Sequence, residues 1–239
     1  MGVKRDHAGQ TVVPGPAAPR GRFTTLFEGF RAELDEHYDR KERIVKSSRD
    51  VTAHSKRCTQ SSRLFFLIFA LHRSNAINEE PSPAIQKEVN TRLADIEKSL
   101  SLIAGDISGL YRYRYYLPCL EELVEALTFA HYLRTQTLLT PAETRAAVPC
   151  GVTLADKDYV YGVFDLFGEM MRFATAKSRA KGVLLAEESP RGRSTLDDIQ
   201  ALGCAFETLP KVPEKAFGQK LDAMRASVRK VEVLGYRLR

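Results

Sequence analysis

The sequence predicts an all-α protein in which about seven helices form a single domain with long antiparallel packing. Apolar residues recur at spacings of three and four along most of the chain, as they do on one face of an α-helix. No segment alternates apolar and polar residues as a half-buried strand would, and no Asn-Gly pair marks a hairpin. A chain of 239 residues can bury one large core, so a single domain is the expected organisation.

The first segment does not share the helical pattern. Residues 1–22 hold three prolines and four glycines and carry a net charge of +3. Such a composition buries too little apolar area to offset the entropy of ordering the chain. We therefore expect a disordered basic tail over residues 1–22 and a helical domain over residues 23–239.

The helical pattern begins with an aromatic stripe. Phe23, Phe27, Phe30 and Leu34 follow one another at spacings of four, three and four. The rhythm continues through Tyr38, Val45, Thr52 and Ser55, and no Gly or Pro occurs between Leu34 and Pro81. The pattern predicts either one very long helix or two helices joined near residues 58–62.

Apolar seams and cap residues predict six further helices. Pro118 lies inside the third seam and indicates a kink or a late start. Thr140 and Ser194 have the side chains of N-caps, and Pro141 suits the first position of a helix. The predicted segments are a seam from Ile85 to Ile103, a seam from Leu110 to His131, and helices over 156–180, 194–208 and 213–234 with a short helix after Thr140.

Several classes of protein are excluded by composition. The longest apolar run, residues 64–71, is far shorter than a membrane span, and the N-terminus lacks the apolar segment of a signal peptide. The four cysteines form no CxxC pair and the five histidines no HxxxH pair, so we expect reduced thiols in an intracellular protein and no zinc site.

Charge is distributed unevenly along the chain. Residues 40–73 carry a net charge of +7 and residues 211–239 a net charge of +5, whereas residues 79–125 carry −4. Basic blocks attract phosphates, although solvated helix faces have the same composition. The tract YRYRYY at residues 111–116 has two interpretations as well, since Tyr and Arg stack on bases and are also enriched in subunit interfaces.

Two helices carry paired acids within apolar sequence. Glu122 and Glu125 are three residues apart, and Asp165 and Glu169 are four apart, so each pair projects from one side of its helix. If the two helices face each other, four carboxylates converge. Oxygen ligands of this kind suit Mg²⁺ or Mn²⁺, which can activate water against a phosphodiester. Spacing alone favours the alternative, salt bridges with Arg112, Arg134 or Arg172 on helix surfaces, because acid pairs on helices are common.

Several stretches of the sequence resemble the translin family. The resemblance covers about residues 26–236, and within the family the chain is most similar to the translin-associated factor X branch. The segment between Arg57 and the IFALHR match is longer than in the family by about nine residues, or two and a half helical turns. The matching stretches are FEGFRAELD at 27–35, YDRKERIVK at 38–46, SRDVT at 48–52, SKR at 55–57, IFALHR at 68–73, LEELVEA at 120–126, DYVYGV at 158–163 and DLFGEMMR at 165–172.

The resemblance implies a function for the four acids. In the factor X branch, unlike translin itself, the positions of Glu122, Glu125 and Asp165 are acidic. Together with the Glu at the position of Glu169, they are associated with Mg²⁺-dependent endoribonuclease activity. We therefore expect all four to be catalytic and metal-binding residues, with Mg²⁺ or Mn²⁺ as cofactor.

The resemblance also implies partners. The family assembles with translin into a closed hetero-oligomeric shell that binds single-stranded RNA or DNA. Arg49, Lys56 and Arg57 are the residues that we expect to contact phosphates. The expected function is the catalytic subunit of a single-stranded RNA endoribonuclease acting in RNA silencing or tRNA processing, in the cytoplasm and nucleus and without a membrane partner. The alternatives are a non-catalytic nucleic-acid-binding scaffold acting through translin and a structural adaptor for other proteins.

Overall fold

The chain folds into α-helices, as predicted. The computed structural model describes residues 21–72, 83–109, 115–181, 194–210 and 212–237, and within these ranges there are seven α-helices, one short 3₁₀ turn and no strand. The elements are α1 Thr24–His72, α2 Pro83–Ser101, α3 Pro118–Thr135, α4 Pro141–Ala147, the 3₁₀ turn Pro149–Gly151, α5 Asp156–Lys181, α6 Thr195–Glu207 and α7 Lys215–Arg237.

The chain divides into two compact units, Met1–Glu42 and Arg43–Arg239. The first unit holds the beginning of α1, and the second holds the rest of α1 and every later helix. Most of the predicted tail lies outside the described residues, as do Arg73, Leu110 and residues 111–114 of the Tyr/Arg tract. In the described part of the chain, no helix is long and apolar enough to cross a membrane.

Helix α1 is continuous through residues 58–62, so the first of the two predicted alternatives is correct. The predicted apolar stripe lies mostly on an exposed face of this helix, however. In the first unit Phe27 and Tyr38 are exposed, and in the second Val45 is also exposed. The buried face of α1 in the second unit contains Ile44, Ser47, Val51, Ser55 and Cys58, of which only Ser55 belongs to the predicted stripe. Spacing gives the period of a helix face, whereas tertiary neighbours decide which face is covered.

Helices α1 and α2 run antiparallel. Arg43 of α1 forms a forked ion pair with Asp106, just beyond α2, with both N–O distances 3.0 Å. His54 Nδ1 lies 3.5 Å from Asp95 Oδ2 of α2. Because a later position on α1 meets an earlier position on α2, the two helices have opposite directions.

Helix α3 lies at the centre of the larger unit. It begins with Pro118 at its first turn, which confirms the late start rather than the kink. Its first half packs into a core with α1 and α2, and its second half packs into a core with α5, α6 and α7. Most of its circumference is therefore covered, and Glu121 and Glu125 are buried with it.

The caps predicted for α4 and α6 are confirmed. The Thr140 hydroxyl accepts a hydrogen bond from the Glu143 backbone N–H, and the Glu143 side chain accepts one from the Thr140 backbone N–H. Ser194 and Asp197 form the same reciprocal pair at the start of α6. Each arrangement satisfies amide donors that the first turn of a helix leaves without partners.

The second core joins α5, α6 and α7. The Phe164 ring packs edge-on against Phe206 of α6 and Phe217 of α7. Helices α6 and α7 are antiparallel, as shown by contacts from Gln200 to Glu232 and from Glu207 to Arg225. Helices α3 and α5 instead run in the same direction, because Gly162 adjoins Val124 and Phe173 packs on Phe129.

Candidate functional site

A cavity of about 740 Å³ brings the predicted acids together. Glu122, Glu125, Asp165 and Glu169 all line it. It is bounded by α1, α3, α5 and α7, all within the larger unit, and it also receives basic side chains, Lys56, Arg63 and Arg172. The condition set for the two acid pairs, that their helices face each other, is therefore met, and all four acids line one cavity.

The close packing of α3 on α5 positions the acid pairs. Gly162 has no side chain, and Val124 occupies the space that a β-carbon would need. Glu125 is one residue after Val124, and Asp165 is three residues after Gly162, so both acids lie within a turn of this contact. The absence of a side chain at Gly162 thus sets the separation of the two acidic faces.

Glu169 is enclosed by two arginines. Its side chain is only 6% exposed. Arg63 Nη1 of α1 donates to Glu169 Oε2 at 2.8 Å, and Arg172 Nη1 donates to Glu169 Oε1. The alternative of a salt bridge with Arg172 is therefore realised at this acid. A buried carboxylate needs such partners, because burying it alone would be costly.

Asp165 is paired with a lysine from α7. Lys220 Nζ lies 2.6 Å from Asp165 Oδ2 and 3.1 Å from Glu121 Oε2, and it donates to the Tyr161 carbonyl oxygen at 3.3 Å. Burial alone would lower the pKa of Lys220, but hydrogen bonds and charge from Asp165 and Glu121 raise it. Lys220 therefore remains an ammonium that links α7 to α3 and α5.

Glu122 is paired with Lys56, whose Nζ lies 3.1 Å from Glu122 Oε1. The pair joins α1 to α3 at the edge of the cavity. The Lys56 side chain is 63% exposed and the Glu122 side chain 23% exposed. Solvent screens such a pair, so it contributes at most about 1 kcal/mol to stability.

Glu125 differs from the other three acids. It is buried, and no ion pair joins it to a side chain in the described ranges. Burial and the negative charges of Glu122, Glu169 and Asp165 raise its pKa from 4.5 to about 8. At neutral pH the Glu125 carboxyl therefore carries a proton. A charged form here would need a cation close by.

The donor set fits a hard divalent cation in its chemistry. All four side chains offer carboxylate oxygens, which Mg²⁺ and Mn²⁺ prefer, and Glu125 lacks a cationic partner of its own. In the ranges described, no three His, Cys, Asp or Glu side chains are close enough together to hold an ion as they stand. Binding would therefore require oxygens now paired with Lys56, Lys220 or the two arginines.

The residues predicted to contact phosphates all lie on α1 and are exposed. Of these, Lys56 lines the cavity, whereas Arg49 and Arg57 do not. Arg49, Lys56 and Arg63 are seven residues apart and share one face of the helix. From that spacing, Arg63 could have been included among the residues predicted to contact phosphates.

Two other members of the site, Glu121 and Lys220, were also missed by sequence reasoning. Glu121 is 3% exposed, and its Oε1 has no hydrogen-bond partner within the described part of the chain. Burial raises its pKa, while the nearby Lys220 ammonium opposes the rise. Glu121 directly precedes Glu122, so a third acid on α3 was visible in the sequence.

Comparison with known proteins identifies relatives over most of the chain. The model of the Translin family matches residues 39–239. A protein of Schizosaccharomyces pombe named translin-associated protein X homolog is 29% identical over 213 residues, covering 88% of this chain and 85% of that protein. The mouse protein named translin-associated protein X is 30% identical over 173 residues, covering 61% of this chain and 56% of that protein.

A solved structure has the same fold. The crystal structure described as apo-NeC3PO superimposes with a TM-score of 0.53, covering 86% of this chain and 97% of that one. The two sequences are 15% identical, so this likeness concerns the fold alone.

Proposed function

The chain belongs to the translin family, in the branch of translin-associated protein X, and we propose that it is the catalytic subunit of a Mg²⁺-dependent endoribonuclease formed with translin. The proposed substrate is single-stranded RNA, in RNA silencing or tRNA processing. One observation carries the proposal: the four acids project from α3 and α5 into one cavity that also holds basic side chains.

In this proposal Glu122, Glu125 and Asp165 hold Mg²⁺ or Mn²⁺. Glu169 either joins them or polarises the attacking water, after its arginines have moved. The bound ion would supply an activated water and offset the charge of the leaving oxygen. Glu125 holds a proton at neutral pH and must release it before its oxygens can bind a cation.

The basic side chains of the cavity would position the RNA. Lys56 is largely exposed, and Arg172 is 57% exposed, so both can reach a bound phosphate. Phosphate contacts supply most of the affinity of proteins for single strands. Acidic and basic side chains share one cavity, so a phosphodiester held by Lys56 and Arg172 would lie beside the carboxylates that act on it.

An exposed apolar surface supports the partner in this proposal. Five large apolar residues of the first unit that recur at helical spacing each expose half or more of their area: Phe23, Phe27, Phe30, Leu34 and Tyr38. We call this set the α1 stripe. A contiguous apolar patch of this kind marks a protein interface in most soluble proteins, and translin is the proposed occupant.

A second function, that of a non-catalytic scaffold, is favoured by one specific observation. Glu122, Asp165 and Glu169 each have an ion-pair partner within the chain. As they stand, these acids link four helices, which is a structural role. A scaffold of this kind would bind single-stranded nucleic acid through translin and would need no metal.

The two functions differ in one experiment. The full chain is co-expressed with translin, and single-turnover cleavage of single-stranded RNA is measured in Mg²⁺ and in EDTA. We expect cleavage in Mg²⁺ only, and a loss of a hundredfold or more in Glu125→Ala and Asp165→Ala at nearly unchanged RNA affinity. Glu232→Ala, which removes an exposed acid on α7, is the matched control. Wild-type rates in both acid variants would favour the scaffold.

A further inference from the structure

The cavity has an uneven balance of charges. At Asp165, two carboxylates, its own and that of Glu121, share one ammonium, Lys220. At Glu169, one carboxylate is shared by two guanidinium groups, those of Arg63 and Arg172. The Asp165 end therefore has surplus negative charge, and the Glu169 end has surplus positive charge.

The two guanidinium groups are held in place without being saturated. Each donates one Nη1–H to Glu169, whereas a guanidinium carries five N–H donors. Arg63 comes from α1 and Arg172 from α5, so they approach the carboxylate from different helices. Both line the cavity, where their remaining donors can meet a ligand.

We propose that Arg63 and Arg172, oriented by the buried Glu169 carboxylate, form a binding site for the phosphodiester group of a single-stranded nucleic acid. A phosphodiester offers two non-bridging oxygens that match guanidinium donors. Its negative charge balances the second guanidinium group, which the single Glu169 carboxylate leaves without a counter-charge. Glu169 is a positioning residue in this site. The inference rests on the proposed function and assigns the substrate's phosphate to a particular end of the cavity.

Binding of a phosphate at this site would also free Glu169 to contact a metal ion or a water molecule. Glu169 and a phosphate compete for the same guanidinium groups. Donors that move to a phosphate leave Glu169 oxygens without hydrogen bonds, beside the other acids of the cavity. The carboxylate would thus become available only when a substrate phosphate is present.

The test measures binding without cleavage. The full chain in complex with translin, in EDTA, is titrated with a five-nucleotide single-stranded DNA followed by fluorescence anisotropy. We expect R63Q and R172Q each to weaken binding by roughly tenfold. The slope of the logarithm of the binding constant against the logarithm of the salt concentration should become less steep by about 0.7 for each lost phosphate contact. R225Q is the matched control, because Arg225 also forms an Arg–Glu pair, with Glu207, outside the cavity. Its affinity should equal that of the wild type.

The E169Q variant separates this proposal from a structural role. The glutamine keeps an amide oxygen that can accept hydrogen bonds from the arginines and orient them, but it lacks the charge that competes with a phosphate. Binding should therefore tighten severalfold in the wild-type background and stay unchanged in R63Q/R172Q. Equal effects of E169Q in both backgrounds would overturn the proposal, as would wild-type affinity of R63Q/R172Q. All variants are first checked for intact assembly and thermal unfolding. A variant that does not assemble is replaced by R63K or R172K, which keeps the positive charge. The Lys variant should weaken binding less than the Gln variant does. If the Lys variant binds with the same affinity as R225Q, the proposal is also overturned.

The proposed function fails by a different outcome. If the complex does not cleave RNA in Mg²⁺ but R63Q and R172Q lose affinity, the phosphate site stands and the nuclease does not. If cleavage depends on Glu125 and Asp165 but both arginine variants bind normally, the nuclease stands and this site does not.

Discussion

Gly162 of α5 and Val124 of α3 are in such close contact that a β-carbon built on the glycine would lie 2.6 Å from the Val124 Cβ. The Glu121 carbonyl oxygen would be 2.7 Å away from the same β-carbon. No substitution at Gly162 therefore fits without moving one helix. The acids on the two helices depend on this contact for their separation.

Gly162→Ala should destabilise the protein by roughly 1–3 kcal/mol, because overpacking forces α3 and α5 apart. Gly218→Ala is the matched control, since nothing lies within 4 Å of a β-carbon built at this helical glycine. There Ala should stabilise by about 0.5–1 kcal/mol. Urea unfolding of both variants measures the difference, and equal midpoints would contradict the packing described above.

The buried carboxyl of Glu125 should make stability depend on pH. Its pKa is about 8 in the folded chain, above the ordinary value of 4.5, so the folded state binds the proton more tightly than the unfolded state does. The contribution of the protonated Glu125 carboxyl to the free energy of unfolding is complete below pH 4.5 and is lost as pH rises towards 8. Over that range the free energy of unfolding falls by at most about 1.4 kcal/mol per pH unit.

Glu125→Gln cannot titrate, so its stability should vary less between pH 5 and 9, and above pH 8 it should exceed that of the wild type. Urea unfolding at several pH values measures this. Glu232→Gln, at an exposed acid that accepts a hydrogen bond from Gln200, should keep the wild-type profile. A wild-type slope in Glu125→Gln would show that another group titrates.

Lys220 should be needed for stability because it neutralises a buried acid. Lys220→Met leaves Glu121 buried without its cation, which should cost roughly 3–5 kcal/mol. Lys157→Met removes a half-exposed partner of Glu214 and should cost at most about 1 kcal/mol. In Glu121→Gln/Lys220→Met the loss should be smaller than the sum of the single losses, as a double-mutant cycle would show. Additive losses would mean that the two residues do not interact.

The α1 stripe should be required for assembly with translin and not for the fold of this chain. Phe27→Ser/Phe30→Ser removes two exposed rings, so helix content should be unchanged while co-purification with translin falls. Leu102→Ser is the control, because Leu102 is equally exposed outside the stripe. Undiminished co-purification of the double variant would place the interface elsewhere.

Local sequence rules predicted the helices well. The capping boxes at Thr140 and Ser194 depend on residues three apart, and the acid pairs depend on spacings of three and four. Interactions of this range can be read from a single stretch of sequence. They were sufficient to predict the all-α class and the two acids that share one side of each helix, whereas the facing of the two helices was only a condition.

The cationic partners could not be predicted in the same way. Lys220 is 55 residues from Asp165, and Arg63 is 106 residues from Glu169. No local spacing connects such residues, and each is joined to its partner only by the packing of distant helices. For the same reason periodicity gave a stripe on α1 without indicating whether it would be covered.

The buried face of α1 in the larger unit is unusually poor in apolar area. Ser47, Ser55 and Ser62 alternate there with Ile44, Val51 and Cys58, and the Ser55 hydroxyl is buried without a hydrogen-bond partner among the described residues. Each serine contributes little to the free energy of docking, and a buried hydroxyl without a partner opposes it. Local opening should therefore occur at α1 before α3, with faster amide hydrogen exchange over residues 47–63. Since Lys56 and Arg63 belong to this segment, such an opening would widen the cavity without unfolding its acidic walls, and a long polymer could enter sideways rather than by threading one end.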